Sequence, residues 1–266
     1  MIIDFHTHCF PEELAPRALE KLSAAAERIP CTDGTAAGSI NNMKESGVDI
    51  SVVCNIATNP RQQHKVNSFA VSLNDKKPGL VVLGSLHPDS EEIEEELDYL
   101  LDHDIRGIKI HPEYTDYYID APEWEKIFKA CEEKNFFIVT HAGYDFISPN
   151  RTAVTPQRLL NVLNKHPKLR IVAAHLGGNR YWNEVYDLLC GRENLWLDTA
   201  LVAAEGVSPV LVKKIIDKHG DDRILFGSDM PWSDPKEEIS FIRSLGLPES
   251  SLKKIFEENA KNLLLN

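Results

Sequence analysis

The stretch Ile2-Ile3-Asp4-Phe5-His6-Thr7-His8 decides how the chain is read. Its apolar start has the composition of a short buried strand, Ile2–Phe5, and it runs out into two histidines one residue apart. Side chains at i and i+2 leave an extended chain on the same side, so His6 and His8 converge on one point. Two imidazoles meeting at a strand exit suit a metal ion better than they suit a core.

The pattern that begins there repeats. Short β-rich runs are expected at Ile2–Phe5, Val48–Ile56, Leu80–Leu86, Ile105–Ile110, Phe136–Thr140, Leu169–Ala174, Leu195–Asp198 and Arg223–Phe226. Amphipathic stretches separate them, from Glu12–Ile29 to a closing helix at Glu249–Leu264. Eight βα cycles in 266 residues match the count and size of a closed (β/α)8 TIM barrel, a single α/β domain over residues 1–266. A doubly wound open sheet is the competitor, but no glycine-rich GxGxxG turn follows the first strand.

Composition narrows the partners. The formal net charge of -12 argues against a nucleic-acid backbone or an anionic membrane as the main partner and leaves a small-molecule substrate. No apolar run approaches the length of a membrane span, and the start Met-Ile-Ile-Asp has neither basic flank nor apolar leader, so a cytoplasmic location is expected. The five cysteines are scattered and odd in number, as in a reduced protein rather than a disulfide frame. Cys9, next to His8, is expected near the site.

In a barrel the C-terminal strand ends face one cavity. Of the ten histidines, His6, His8, His111, His141 and His175 stand at such ends, with His87 a sixth candidate. His64, His103, His166 and His219 lie in or near helices and read as surface residues. One strand-end histidine is usually structural; five together favour a ligand cluster. His6, His8 and His141 offer neutral nitrogens suited to zinc, and Asp229, directly after the eighth strand, offers a carboxylate. Such a set leaves room for a water that a metal activates, with Asp229 as proton acceptor. His175 reads as a further ligand, or as the group that orients the water or polarises a carbonyl. Lys109 and His111 share a face of the fourth strand. Lys109 is expected to bind a substrate anion, or to bridge two metals if carbamylated. Asp4 is expected to orient a ligand or pair with Lys109. Tyr114, Tyr117, Tyr118, Tyr144, Phe146, Tyr181 and Trp232 fall on loops at the same end and suit an aromatic wall around the substrate.

The blocks Asp4-Phe-His-Thr-His8, Gly107-Ile-Lys-Ile-His-Pro112, Thr140-His-Ala-Gly143, Ala174-His-Leu-Gly-Gly178 and Leu225-Phe-Gly-Ser-Asp-Met-Pro231 resemble the amidohydrolase superfamily. They are most similar to its amidohydrolase-related branch, which also holds aminocarboxymuconate-semialdehyde decarboxylase and related metal-dependent decarboxylases. The resemblance covers almost the whole chain. It implies a distorted (β/α)8 barrel with one divalent metal, usually zinc. It implies His6, His8, His141 and Asp229 as ligands and His175 as the residue nearest water or substrate. It places Lys109 where binuclear relatives carry their bridging lysine, and it implies a homodimer.

Two reactions follow from that reading. The first is metal-dependent hydrolysis of a small amide, cyclic amide, ester or lactone, with Asp229 and His175 catalytic and Lys109, His111, Tyr144 and Trp232 lining the substrate site. The second is non-oxidative decarboxylation of an unsaturated or aromatic acid, which calls for a cation on the carboxylate. Arg151 and Arg180 are the arginines the strand-end loops offer for that task. A barrel kept as a scaffold without turnover is the third reading, and the complete ligand set argues against it.

Overall fold

The computed structural model describes residues 1–74 and 79–265. Eight parallel strands form one sheet in sequential order. They are β1 (Ile3–Thr7), β2 (Ile50–Cys54), β3 (Leu80–Ser85), β4 (Gly107–Ile110), β5 (Phe137–Thr140), β6 (Arg170–Ala173), β7 (Leu195–Asp198) and β8 (Ile224–Leu225). The last strand returns to the first: Phe5 N–H donates to Phe226 O at 2.7 Å and Asp229 N–H to His6 O at 2.8 Å. The result is the expected TIM barrel, and each expected strand has its counterpart.

Side-chain alternation sorts the residues. Val52, Cys54, Leu83, Phe137, Val139, Val172 and Leu225 form one buried cluster with Ile3 and Phe5, which fills the barrel. Their neighbours in sequence, such as Val53, Val82, Ile108, Ile138, Ile171 and Leu197, belong to the larger cluster under the helices. Strands buried on both faces need apolar residues at both parities, which is why these runs read as continuous rather than alternating.

The outer layer comprises α1 (Ala15–Ala26), α2 (Ala36–Ser46), α3 (Gln63–Asn74), α4 (Ile93–Leu101), α5 (Glu125–Glu133), α6 (Pro156–Lys165), α7 (Trp182–Leu188), α8 (Pro209–His219) and α9 (Pro235–Ser244). Prolines open α6, α8 and α9, where a missing N–H costs nothing. The closing helix is not continuous. It runs as α10 (Glu249–Lys253), a π-helical turn over Lys254–Glu258, and α11 (Asn259–Leu265). The wider turn lets Ile255 O accept from Phe226 N–H at 3.0 Å. Ala260 and Leu263 then join the interior cluster. No helix among the described residues is long and apolar enough to cross a membrane.

Two expectations need correction. His166 and His219 are buried, not surface residues. His166 lies 3.3 Å from both Glu125 and Glu132, and His219 Nε2–H donates to Leu195 O at 3.0 Å. Asp4 does not pair with Lys109. The pairing Asp4↔Ser51 is followed by Thr7↔Val53, three steps on β1 against two on β2, so one extra residue is bulged into the first strand. The bulge breaks the parity that put Asp4 and His6 on one face. Asp4 instead accepts from Ser228 Oγ–H at 2.5 Å and Ser228 N–H at 2.9 Å, and so holds the turn that presents Asp229.

Candidate metal centre

The mouth of the barrel opens into a cavity of ≈ 500 Å³ lined by His6, His8, Lys109, His111, His141, His175 and Asp229. Phe10, Leu14, Leu22, Phe69, Phe146 and Trp232 make its walls apolar. Nitrogens of His6 and His8 and a carboxylate oxygen of Asp229 lie within 4.8 Å of one another. Asp229 Oδ1 is 3.1 Å from His8 Nε2 and 3.4 Å from His6 Nε2.

The far side of each ring is held. His6 Nδ1–H donates to Asp198 Oδ2 at 2.8 Å, and His8 Nδ1–H donates to the carbonyl of Cys54 at 2.8 Å. Both rings therefore carry their proton away from the cavity and turn the Nε2 lone pair inward, the arrangement that orients metal-binding imidazoles. Asp198 is fixed in turn by His175 N–H (2.9 Å) and Ala200 N–H (3.1 Å) on its other oxygen. Lys109 is buried beneath, and its ammonium donates to His6 Nε2 at 3.1 Å.

His141 stands one imidazole further on. Its Nδ1 is 3.2 Å from His175 Nε2, and His175 Nδ1 is 3.3 Å from Ala200 O. The consistent proton pattern has His141 Nδ1–H donating to His175 and His175 Nδ1–H donating to the carbonyl. His141 Nε2 is then a lone pair, buried and without a partner. His111 stacks on His141 at 4.3 Å between ring centroids and on Tyr114 at 3.8 Å.

Burial sets the charge state of these rings. It depresses His175 to about 4 and holds His111 and His141 well below the ordinary imidazole value, with neighbouring cations adding to the effect. Burial and the Lys109 charge also lower His6, against the pull of Asp198. For Asp229, burial pushes upward, but its close contacts with the His8, His6 and His175 rings outweigh it and hold the carboxylate below its usual range. Neutral imidazoles beside an ionised carboxylate are the protonation states that bind a cation. The unpartnered Nε2 of His141 and the inward lone pairs of His6 and His8 fit a divalent ion.

Two of these residues hold unusual backbone. His175 has φ 58° and Asp229 φ 71°, in the left-handed region that costs a non-glycine residue roughly 1–2 kcal/mol. Asp198, the Asp4 brace and the β1–β8 hydrogen bonds hold them there, as at sites where strain serves position.

The other expected residues fall as follows. Lys109, His111, Tyr144 and Trp232 line the cavity, as do Tyr114, Phe146 and Cys9, whose thiol burial pushes up to about 12. His87 is buried against Gln63 and Asp89 instead. Tyr117 hydrogen-bonds Asp89, Tyr118 lies under Arg151 and Arg158, and Tyr181 reaches Thr152. Neither Arg151 nor Arg180 lines the cavity; Arg28, at the end of the first loop helix, and Lys65 do. Arg28 and Arg180 both bind Glu205 and both lie over Phe146. Asp198, Asp145 and Asn179, like Arg28 and Lys65, are residues at the site that sequence reasoning missed. Asp198 was within reach of the rule used for the histidines, since it ends the seventh strand.

Comparison with known proteins supports the same picture. The amidohydrolase family model matches residues 3–265. No curated protein matches the sequence. Among solved structures, an uncharacterized TIM-barrel protein from Bordetella bronchiseptica superposes with TM-score 0.76 at 18% identity, over 99% of this chain and 98% of that one. A 5-carboxyvanillate decarboxylase from Novosphingobium aromaticivorans, complexed with manganese and 4-hydroxy-3-methoxy-5-nitrobenzoic acid, gives 0.74 at 16% identity, over 100% and 96%. A protein provisionally assigned as a 2-pyrone-4,6-dicarboxylic acid hydrolase from Pseudomonas putida gives 0.71 at 16% identity, over 99% and 97%.

Proposed function

The chain belongs to the amidohydrolase family, and from that premise we propose that it is a metal-dependent hydrolase of a small, largely apolar amide, cyclic amide, ester or lactone. The observation that carries this reading is the convergence of His6, His8 and Asp229 within 4.8 Å, with both imidazole lone pairs turned inward, at the floor of an apolar cavity. These three would hold the ion with His141, whose buried, unpartnered Nε2 is the fourth donor, and His175 stands next to them, its ring centroid 5.3 Å from that of His6. A divalent cation, zinc by the donor set, would supply Lewis acidity to the reacting carbonyl and its water.

The chain's own groups divide the remaining work. Asp229, ionised at neutral pH, accepts the proton of the attacking water and returns it to the leaving group. His175 keeps its proton on Nδ1 for Ala200 O and accepts at Nε2 from His141 Nδ1–H, so its part is to fix the His141 ring with the His141 Nε2 lone pair free. The Lys109 ammonium is the donor available to the developing oxyanion. The walls around Phe10, Phe69, Phe146 and Trp232 exclude competing water and hold an apolar substrate body.

Decarboxylation of an unsaturated or aromatic acid is the second reading, and one observation favours it. The buried Lys109 ammonium beside the trio, with Arg28 and Lys65 also lining the cavity, suits a carboxylate on an apolar ring. One experiment separates the two. Metal-loaded protein is given a panel of lactones, cyclic amides and esters and a panel of aromatic acids, and both ring or ester opening and carbon dioxide release are followed. Hydrolysis without carbon dioxide, abolished in Asp229→Asn, supports the first reading. Carbon dioxide release from the acids with no hydrolysis replaces it with the second.

A further inference from the structure

One wall of the cavity, built by the loops after β5 and β6, takes no part in the chemistry above. Asp145 and Asn179 stand in it; both line the cavity, and they are 6% and 1% exposed. Asp145 Oδ2 and Asn179 Oδ1 are buried with no hydrogen-bond partner among the described residues. A carboxylate oxygen and an amide oxygen accept hydrogen bonds and give none. Two buried acceptors left unpaired on one cavity wall call for a donor from the molecule that fills the cavity.

The fold holds both side chains in these orientations. The two loops are joined backbone to backbone: Asn179 N–H donates to Ala142 O at 2.9 Å, and Tyr144 N–H donates to Asn179 O at 2.9 Å. Asn179 Nδ2–H then donates to Tyr144 O at 3.0 Å. That bond fixes which end of the amide is committed and leaves Oδ1 free. Asp145, the next residue after Tyr144, accepts hydrogen bonds from the backbones of Ile147 and Ser148 and from the Ser148 hydroxyl. Those bonds leave its Oδ2 without a partner. A carboxylate oxygen of Asp145 lies within 4.8 Å of a ring nitrogen of His141, so this wall adjoins the place where the reacting carbonyl is held.

We propose that Asp145 and Asn179 are substrate-binding residues that accept from an N–H of the substrate, and that the substrate is accordingly an amide bearing N–H rather than an ester or lactone. This assignment rests on the hydrolytic reading above and narrows it. An ester or lactone puts an oxygen where the amide has its N–H, and it leaves both acceptors buried and unpaired. A site built around a substrate donor rejects the analogue that lacks it far more strongly than an apolar wall rejects a change of shape.

The test uses three bicyclic probes of nearly equal shape: phthalimidine, which carries a ring N–H, and phthalide and N-methylphthalimidine, which do not. Calorimetric titration of the metal-loaded protein reads their affinities. The wild type should bind phthalimidine about 10-fold or more tightly than the other two. Asp145→Leu and Asn179→Leu should each shrink that ratio by weakening phthalimidine alone. A variant that merely loosened the fold would weaken all three probes together, and melting followed by circular dichroism reports folding separately. Equal affinity of the wild type for the three probes would overturn the proposal without recourse to any variant. So would a preference that survives in both variants, or no binding of any probe. Turnover is read apart from binding: phthalimidine bound with the expected preference but never opened would support this assignment while counting against hydrolysis.

Discussion

Replacing Asp198 by asparagine tests how the site is oriented without touching a ligand. Asp198 Oδ1 accepts from two backbone N–H groups, those of His175 and Ala200, while Oδ2 accepts from His6 Nδ1–H at 2.8 Å. An asparagine has one acceptor oxygen and one donor amide. The orientation that keeps both backbone bonds turns its NH₂ toward His6 Nδ1. His6 must then move its proton to Nε2, where it blocks the lone pair that faces Asp229. The other orientation sets an NH₂ against two N–H donors and leaves buried groups unpaired. Either way, loss of this support should weaken cation binding about 10- to 100-fold, or roughly 1.4–2.7 kcal/mol. Calorimetric titration of stripped wild type and Asp198→Asn reads that change, and an Asp198→Glu control keeps the acceptor character. Unchanged affinity in Asp198→Asn, in a protein that still melts cooperatively, would refute the tautomer argument.

Three further outcomes are expected. At Gly143, φ is 86° and an added Cβ would meet Asn179 N at 2.1 Å and Asn179 O at 2.3 Å, so Gly143→Ala should cost about 3 kcal/mol or more by urea unfolding; Gly47→Ala, at φ 76° with nothing within 4 Å, should cost only about 1 kcal/mol. Burial, with the nearby Arg223 charge, depresses His219 to about 4, below its ordinary 6.5. Its contribution, of order 3 kcal/mol, is therefore present above pH 6.5 and lost as pH falls toward 4; the pH dependence of unfolding should be shallower over that window in His219→Gln, and equal slopes would contradict it. Because a cation binds only the folded chain, loading at about 1,000 times its Kd should stabilise by about 4 kcal/mol and raise the melting temperature by on the order of 10 °C. Asp229→Asn should lose most of that response.

The barrel was legible because its strands are apolar at both parities and each of several ends in a histidine, so distant positions could be placed on one rim. The alternation rule failed at Asp4, where a bulge adds one residue to β1 and no local sequence signal marks it. It succeeded for Lys109 and His111, which share a face and both line the cavity. Surface assignment failed for His166 and His219 because a histidine that ends a helix is polar by type, and only the packed partner shows that its nitrogens are satisfied inside. Arg28 was missed for another reason. It leaves the end of the first loop helix and is drawn over the cavity by Glu205, 177 positions along the chain. Contacts of that separation are set by tertiary packing, not by periodicity.

The central claim is that His6, His8 and Asp229 hold a divalent cation. Anomalous diffraction from crystals of stripped protein soaked in Mn²⁺ tests it most directly. The account predicts a strong peak within bonding distance of His6 Nε2, His8 Nε2 and an Asp229 carboxylate oxygen, with the Lys109 ammonium displaced from His6. A fully soaked crystal with no peak at those three atoms, and Lys109 still hydrogen-bonded to His6 Nε2, would contradict it.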